Sequence, residues 1–315
     1  MAHRSIANIL FLLSMPDSSQ PAPKRSVGLR PVKGWNKRNF LTQVLLPTLL
    51  SKRLGKPEIV TFPTLRENEI GITWIGHASF LIQAAGLNIL IDPNWASWLK
   101  VIKRIKHPGI HLHDLPNIDL VLVTHAHFDH LDRRSLRAVA SDQPIVVPFK
   151  VGNLVHDLGF NQVHELHYWE KMTLGPLEIS LTPCHHWGAR ILHDSHRGFG
   201  GFHIKIGDRS IFHCGDTAYF DGFAEIGERC PVEIALMPIG AYDPPSGREV
   251  HMNPEEAVRA FQELGAHKLI PMHYGSFRLS YEPVHEPPER LLVEASRLGL
   301  AEKVCIMREG QPLVF

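Results

Sequence analysis

Residues 118–132 constrain the fold of this chain more than any other stretch. An apolar, β-branched run (IDLVLVT, residues 118–124) leads without a spacer into His125-Ala126-His127-Phe128-Asp129-His130, and Leu131-Asp132 then opens a helical pattern running to Ala140. Positions i and i+2 of an extended segment face the same side, so His125 and His127 can grip one cation together. Where strand gives way to helix, Asp129 and His130 can project toward a second. A hard carboxylate beside imidazoles suits zinc, manganese or iron. Burying three imidazoles and a carboxylate within six residues would be costly without a cation, because buried polar groups need partners.

These residues do not complete a site, so further ligands are expected at other strand ends. Three downstream segments share one form, an apolar strand followed by His or Asp and then a glycine or aromatic turn. Thr182-Pro183-Cys184-His185-His186-Trp187 offers His185 or His186, whose side chains diverge so that one must face away. Phe212-His213-Cys214-Gly215-Asp216-Thr217 offers Asp216, with Gly215 letting the backbone turn sharply. Ile270-Pro271-Met272-His273-Tyr274-Gly275 offers His273. Histidine is abundant, at 21 of 315 residues, yet His107, His111, His113, His156, His164, His167, His193, His196, His203, His213, His267 and His285 lack ligand spacing and are expected to be solvated or satisfied.

Strand-like runs cover residues 71–75, 79–83, 87–91, 144–148, 177–182, 200–206, 210–214, 233–238 and 268–271. Helical patterns cover 151–158, 254–264 and 288–298, besides 132–140. Strands in both halves with helices interspersed predict an α/β fold of two sheets packed face to face, helices outside. The body is expected to span 68–315 and to follow an arm over 1–67. Within the arm, residues 14–34 are rich in Ser, Pro and basic residues, and residues 36–54 carry apolar helical spacing interrupted by Pro47.

Charge divides along the same line. Residues 1–70 carry 11 Lys and Arg against 4 Asp and Glu, whereas the remainder carries 22 against 28. A basic arm on a mildly acidic body suits an anionic surface or substrate; a solvated leader is the plainer reading. The acidic body, without tracts of interleaved aromatic and basic residues, argues against nucleic acid. No apolar run approaches the ~20 residues of a membrane-spanning helix. Residues 6–13 are read as a leader, a signal segment or a start assigned too early. Four scattered cysteines without a CxxC pair argue against a disulfide framework and fit a reducing, cytoplasmic setting.

Seven strings, in order along residues 70–280, carry a resemblance to a known family: Trp74-Ile75-Gly76-His77-Ala78-Ser79-Phe80, Ile91-Asp92-Pro93, Thr124 through Asp132, His186-Trp187, Cys214-Gly215-Asp216-Thr217, His251-Met252-Asn253-Pro254-Glu255-Glu256-Ala257 and His273-Tyr274-Gly275-Ser276. The first histidine run looks like the HxHxDH motif of the metallo-β-lactamase superfamily. More narrowly, the chain resembles the N-acyl-phosphatidylethanolamine-hydrolysing phospholipase D group and related sugar-phosphate lactonases. The resemblance implies an αββα sandwich and two divalent cations, zinc first, with Mn2+ or Fe2+ as alternatives. It makes His125, His127 and His186 ligands of one cation and Asp129, His130 and His273 ligands of the other, with Asp216 bridging. Two such cations, two carboxylates and a bridging hydroxide would retain about one positive charge, which favours an anionic substrate. Asp129 would orient the hydroxide, and His251 would polarise the substrate oxyanion or protonate the leaving group. His251 as a solvent-facing residue before a helix is the plainer alternative. His77 is expected to support the site without ligating.

Residues 95–106 (WASWLKVIKRIK) read as a short basic amphipathic helix, fitting either peripheral contact with a lipid surface or a cover packed on the sheet. The implied function is a phosphodiesterase of phospholipase D type acting on an anionic phospholipid-like or phosphodiester substrate. A lactonase or other carboxyl-ester hydrolase is the alternative, and a non-catalytic metal-binding regulatory protein a third class. Self-association is left open.

Overall fold

Burial with a period of two builds this molecule. The computed structural model describes residues 39–191 and 194–315, so the expectations for 1–38 and for His193 lie outside the described residues. A first sheet holds β1 (Ile70–Gly76), β2 (Ser79–Ala84), β3 (Leu87–Ile91), β6 (Leu120–Leu122), β7 (Pro144–Pro148), β8 (Gln162–Leu166) and β15 (Pro312–Val314), in the spatial order 15-1-2-3-6-7-8. A second holds β9 (Lys171–Leu174), β10 (Leu177–Thr182), β11 (Gly201–Ile206), β12 (Arg209–His213), β13 (Ile234–Pro238) and β14 (Lys268–Met272), in the order 14-13-12-11-10-9.

Along the first sheet, Phe80, Ile82, Ile89, Ile91, Leu120, Leu122 and Val146 face one way, into a core shared with Ile179, Phe202, Ile204, Phe212 and Leu236 of the second sheet. Their immediate neighbours Leu81, Leu90, Val121, Ile145 and Val147 face the other way, into a second core with Leu131 and with Leu136 of helix α2 (Arg133–Val139). A sheet apolar on both faces must be covered on both. The second sheet carries α4 (Pro254–Glu263) and α5 (Glu286–Arg297), whose Val258, Phe261 and Leu291 join the first core. The result is helix, sheet, sheet, helix, the αββα sandwich anticipated from the pattern.

Strand direction sets where the site lies. β1 and β3 both run antiparallel to β2, and β6 runs parallel to β3, so the C-terminal ends of β1, β3 and β6 share one edge. In the second sheet β10 and β12 both run antiparallel to β11, and β13 and β14 run parallel to β12. Every segment singled out for ligands leaves the C-terminal end of one of these strands.

Three expectations need correction. Residues 95–106 form no helix: β4 (Trp98–Leu99) and β5 (Ile102–Lys103) pair antiparallel around Lys100, whose φ is 54°. Tertiary backbone partners override the helical spacing there. Ile105 N–H donates to Ser276 O (2.8 Å), Leu54 N–H donates to Ile105 O (2.7 Å), and Arg104 is buried rather than displayed. Residues 151–158 make only a single 3-10 turn, Gly152–Leu154, whose entry the Glu165 carboxylate caps by accepting from Lys150 N–H and Gly152 N–H (2.9 and 2.7 Å), before the chain turns out through Gly159 at φ 106°. The last helix starts at Glu286, with Pro287 in its first turn, where a missing N–H costs nothing.

The preceding segment, helical over Leu41–Leu45 and α1 (Leu46–Leu50), lies against the hairpin: Lys103 Nζ donates to Leu49 O and Ser51 O. Among the described residues no helix is long and apolar enough to cross a membrane.

Candidate metal centre

The loop after β6 carries four functional side chains because two tight turns replace the strand. His130 N–H and Leu131 N–H both donate to His127 O, and Asp132 then caps α2 by accepting from Ser135 N–H (3.0 Å). His125 Nε2 and His127 Nδ1 come within 2.9 Å, and His186 Nε2 lies 3.2 Å from the same His127 nitrogen. His186 is buried within this cluster, whereas its neighbour His185 is exposed. Gly215, at φ 65°, turns the chain after β12; a Cβ there would meet Gly200 O at 2.7 Å. Asp216 therefore enters the centre. Its Oδ2 lies 3.0 Å from His273 Nε2, 3.1 Å from His130 Nε2, 3.8 Å from His125 Nε2 and 4.0 Å from His186 Nε2. Asp129 Oδ2 lies 3.4 Å from His273 Nε2 and 3.8 Å from His130 Nε2.

All seven residues expected as ligands thus converge, as His125, His127, His186 and Asp216 on one side and Asp129, His130 and His273 on the other. His77 joins the second group through Asp129 Oδ2 at 2.9 Å. His251 sits at the rim, its Nδ1 4.0 Å from Asp216 Oδ2 and its ring stacked on His273 at 5.1 Å. It is held by local structure: Asn253 and Glu256 form a reciprocal cap on α4, and Met252 N–H donates to Thr217 O.

Outer contacts orient these rings. Asp92 is fully buried at the end of β3; its Oδ1 accepts from Thr124 N–H, and its Oδ2 accepts from Thr124 Oγ1 and from His130 Nδ1 (2.7 Å each). With its proton given to Asp92, the Thr124 hydroxyl can only accept from His125 Nδ1 (3.0 Å), which turns the His125 Nε2 lone pair inward. His186 Nδ1 donates to Val250 O (3.0 Å) with the same effect. Sequence reasoning missed Asp92 and Thr124; Asp92 stood only in a strand-ending Asp-Pro pair. His213 is satisfied between the sheets, with Nε2 donating to Ala78 O (2.9 Å).

The arrangement fits divalent cations. His130 Nε2, Asp216 Oδ1 and His273 Nε2 are buried without a hydrogen-bond partner among the described residues. His130 and His273 approach Asp216 closely but lack hydrogen-bond alignment. Nitrogens bound tetrahedrally at ~2.0–2.1 Å lie about 3.3 Å apart, near the spacings seen here. The Nε2 lone pairs of His125 and His186, whose Nδ1 atoms are committed as donors, converge with His127 Nδ1 at 2.9–3.2 Å, a spacing that a shared cation would satisfy.

Charge differs between the two sides. Burial pushes His127 down to about 4 and His186 to about 3, and lowers His125 well below its usual range, so these imidazoles are neutral. Burial opposes charge on His130 and His273 too, but Asp216 with Asp92 raises the first well above its usual range, and Asp216 with Asp129 holds the second at about 9. Burial would raise Asp129 and Asp216, yet the surrounding imidazoles, His130 foremost, keep both carboxyls well below the usual range.

Above the centre opens a pocket of about 280 Å3. His127, Asp129, Asp216 and His251 form its polar side, while Phe40, Ile102, Trp187, Val250 and Leu279 make apolar walls. Trp187 packs edge-on against His127 at 4.6 Å.

Residues 87–274 match the Beta-lactamase superfamily domain. A protein of Mycobacterium tuberculosis is 33% identical over 72% of this chain, and the match spans 64% of that relative's length. The N-acyl-phosphatidylethanolamine-hydrolyzing phospholipase D 1 of Caenorhabditis elegans is 28% identical over 89% of this chain and 92% of its own. A solved metallo hydrolase from Ignicoccus hospitalis superposes with a TM-score of 0.60 at 26% identity, covering 79% of this chain and 99% of that one.

Proposed function

The chain belongs to the beta-lactamase superfamily, and from that membership we propose that it is a metal-dependent hydrolase that holds two divalent cations and cleaves phosphodiesters in the manner of a phospholipase D. The observation that carries the reading is the double cluster of buried ring nitrogens sharing Asp216 beneath an apolar-walled pocket. In this reading His125, His127 and His186 hold one cation, Asp129, His130 and His273 the other, and Asp216 both. Zinc suits this imidazole-rich donor set best. Two cations so held lower the pKa of a water and stabilise charge on the attacking and leaving oxygens.

The protein's own groups do the rest. Asp129, steadied by His77, accepts a hydrogen bond from the nucleophilic water and orients it. Burial lowers His251 well below its usual range, so it acts as a neutral imidazole, donating a hydrogen bond to the substrate oxygen that gains charge. The pocket falls just under the ~300–1,000 Å3 usual for small-molecule sites, which supports entry of a phosphodiester headgroup and the nearest carbons, with longer chains outside. Exposed Leu46, Leu50, Trp98 and Val101, on the helical segment and hairpin that also carry the pocket-lining Phe40 and Ile102, support contact with a lipid surface. The limited volume also favours a second reading, hydrolysis of a small lactone.

Zinc-loaded protein should be offered bis(p-nitrophenyl) phosphate, a lactone panel and phospholipid vesicles in parallel. Diester cleavage exceeding lactone opening is expected. Lactone turnover without diester cleavage would replace the phosphodiesterase reading, and two-metal protein inert toward all three would favour a binding role.

The charge difference predicts that cations leave in two stages as pH falls. His273, with a pKa of about 9, and His130, raised well above its usual range by Asp216 and Asp92, are protonated at neutral pH in the metal-free protein, so binding on their side must displace protons. Apparent affinity there should fall about tenfold per pH unit for each proton displaced. His127 and His186 stay neutral down to about pH 4 and 3, so the three-histidine side should keep its cation into acid. Equilibrium dialysis against buffered zinc across pH measures this; a single concerted loss would contradict it.

A further inference from the structure

We propose that Arg104 is a positioning residue for Asp129, a role that rests on the two-cation reading above. Arg104 ends the β4–β5 hairpin, far from the ligand loop in sequence, and is about 1% exposed. Its hydrogen-bond partners are neutral oxygens: Nε donates to Ala96 O (2.8 Å), and Nη2 to Asn94 O (2.8 Å) and Asn94 Oδ1 (3.2 Å). Burial lowers its pKa to about 9, so the guanidinium remains charged at neutral pH. Asp132 and Glu309 favour its charge only from a distance; among the described residues no carboxylate pairs with it and Nη1 has no hydrogen-bond partner, so burying this cation is an expensive way to hold a hairpin.

Two arms run from this guanidinium to one residue. Through the first, Arg104 clamps Asn94, whose Nδ2 donates to Asp129 O (2.7 Å) and Phe128 O (3.3 Å). Through the second, Arg104 lies over the Phe277 ring (4.4 Å), and Phe277 packs edge-on against His77 (5.2 Å, 88°). His77 Nε2 in turn meets Asp129 Oδ2 at 2.9 Å. Backbone and carboxylate of Asp129 are thus set from the same buried charge. A lysine cannot reproduce this, since one ammonium lacks the planar fork that reaches Ala96 and Asn94 together while stacking on Phe277.

The test uses the full chain as wild type, Arg104→Ala, Arg104→Lys and Asn94→Ala. Stripped protein is reloaded with zinc, and the affinity of each equivalent is read by chelator competition. Arg104→Ala is expected to weaken the second equivalent about 10–100-fold and spare the first, with kcat reduced and KM unchanged. Arg104→Lys should resemble Arg104→Ala, and Asn94→Ala should show a smaller loss. In metal-free protein, hydrogen exchange should quicken over residues 126–131, with the sheet amides unchanged. Both equivalents held at wild-type strength, or both weakened in step with general unfolding, would overturn the assignment; if Arg104→Ala does not fold, Asn94→Ala decides by the same readouts. A wild type that binds one equivalent sinks the two-cation reading instead, and the exchange comparison still judges Arg104.

Discussion

Asp216→Ala should lose both cations and turnover together. Its Oδ2 is within 4.0 Å of ring nitrogens from His125, His130, His186, His251 and His273, so its carboxylate reaches both halves of the centre. Removing it leaves two incomplete donor sets and strips the counter-charge from His130 and His273. With neither cation held, the stabilisation of attacking and leaving oxygens disappears, and kcat/KM should drop by at least about 10³-fold. Zinc content by elemental analysis and diester turnover would be measured on the same sample. Two zinc ions retained with wild-type turnover would sink the bridging role.

Asp92→Ala should produce the largest effect of any residue outside the ligand set. Its carboxylate serves three buried donors at 2.7 Å, and the substitution strands all of them. Breaking such a buried, charge-assisted set costs about 3–5 kcal/mol. His130 would also lose the contact that fixes its ring, for a further 10–100-fold loss of affinity on that side. Asp92→Asn keeps the volume and one acceptor, so it should fold more stably than Asp92→Ala yet bind zinc poorly. Denaturant melts of metal-free protein separate the stability effect from zinc affinity. An Asp92→Ala protein with unchanged melting and zinc binding would refute this account.

These expectations draw unequally on the sequence. β3, β7 and β10 have the bounds their apolar runs suggested, because each is a short run closed by a turn residue. The HxHxDH stretch was legible because its spacing and its chemistry point the same way. Asp92 was not, since its role depends on register: β3 lies parallel to β6 with Ile91 opposite Leu122, which brings Asp92 beside Thr124 from 32 positions away. No local periodicity encodes that neighbour. The stretch at residues 95–106 was misread for a related reason, because the backbone partners of Ile105, Leu54 and Ser276, come from distant parts of the chain. His186 was separable from His185 by resemblance, but physically only once Val250 supplied an acceptor for its Nδ1.

The shared edge of the two sheets carries a consequence for how the protein matures. Synthesis reaches His125, His127, Asp129 and His130 early, but His186, Asp216 and His273 emerge only as the second sheet is made. A nascent chain that stops short of residue 273 lacks a full donor set. On the two-cation proposal, the full donor set exists only once one sheet has docked on the other, so full-strength cation binding would follow assembly of the fold and not nucleate it. Cations that bind only this finished arrangement stabilise it by mass action, so zinc supply would govern how long the protein lasts as well as how fast it works.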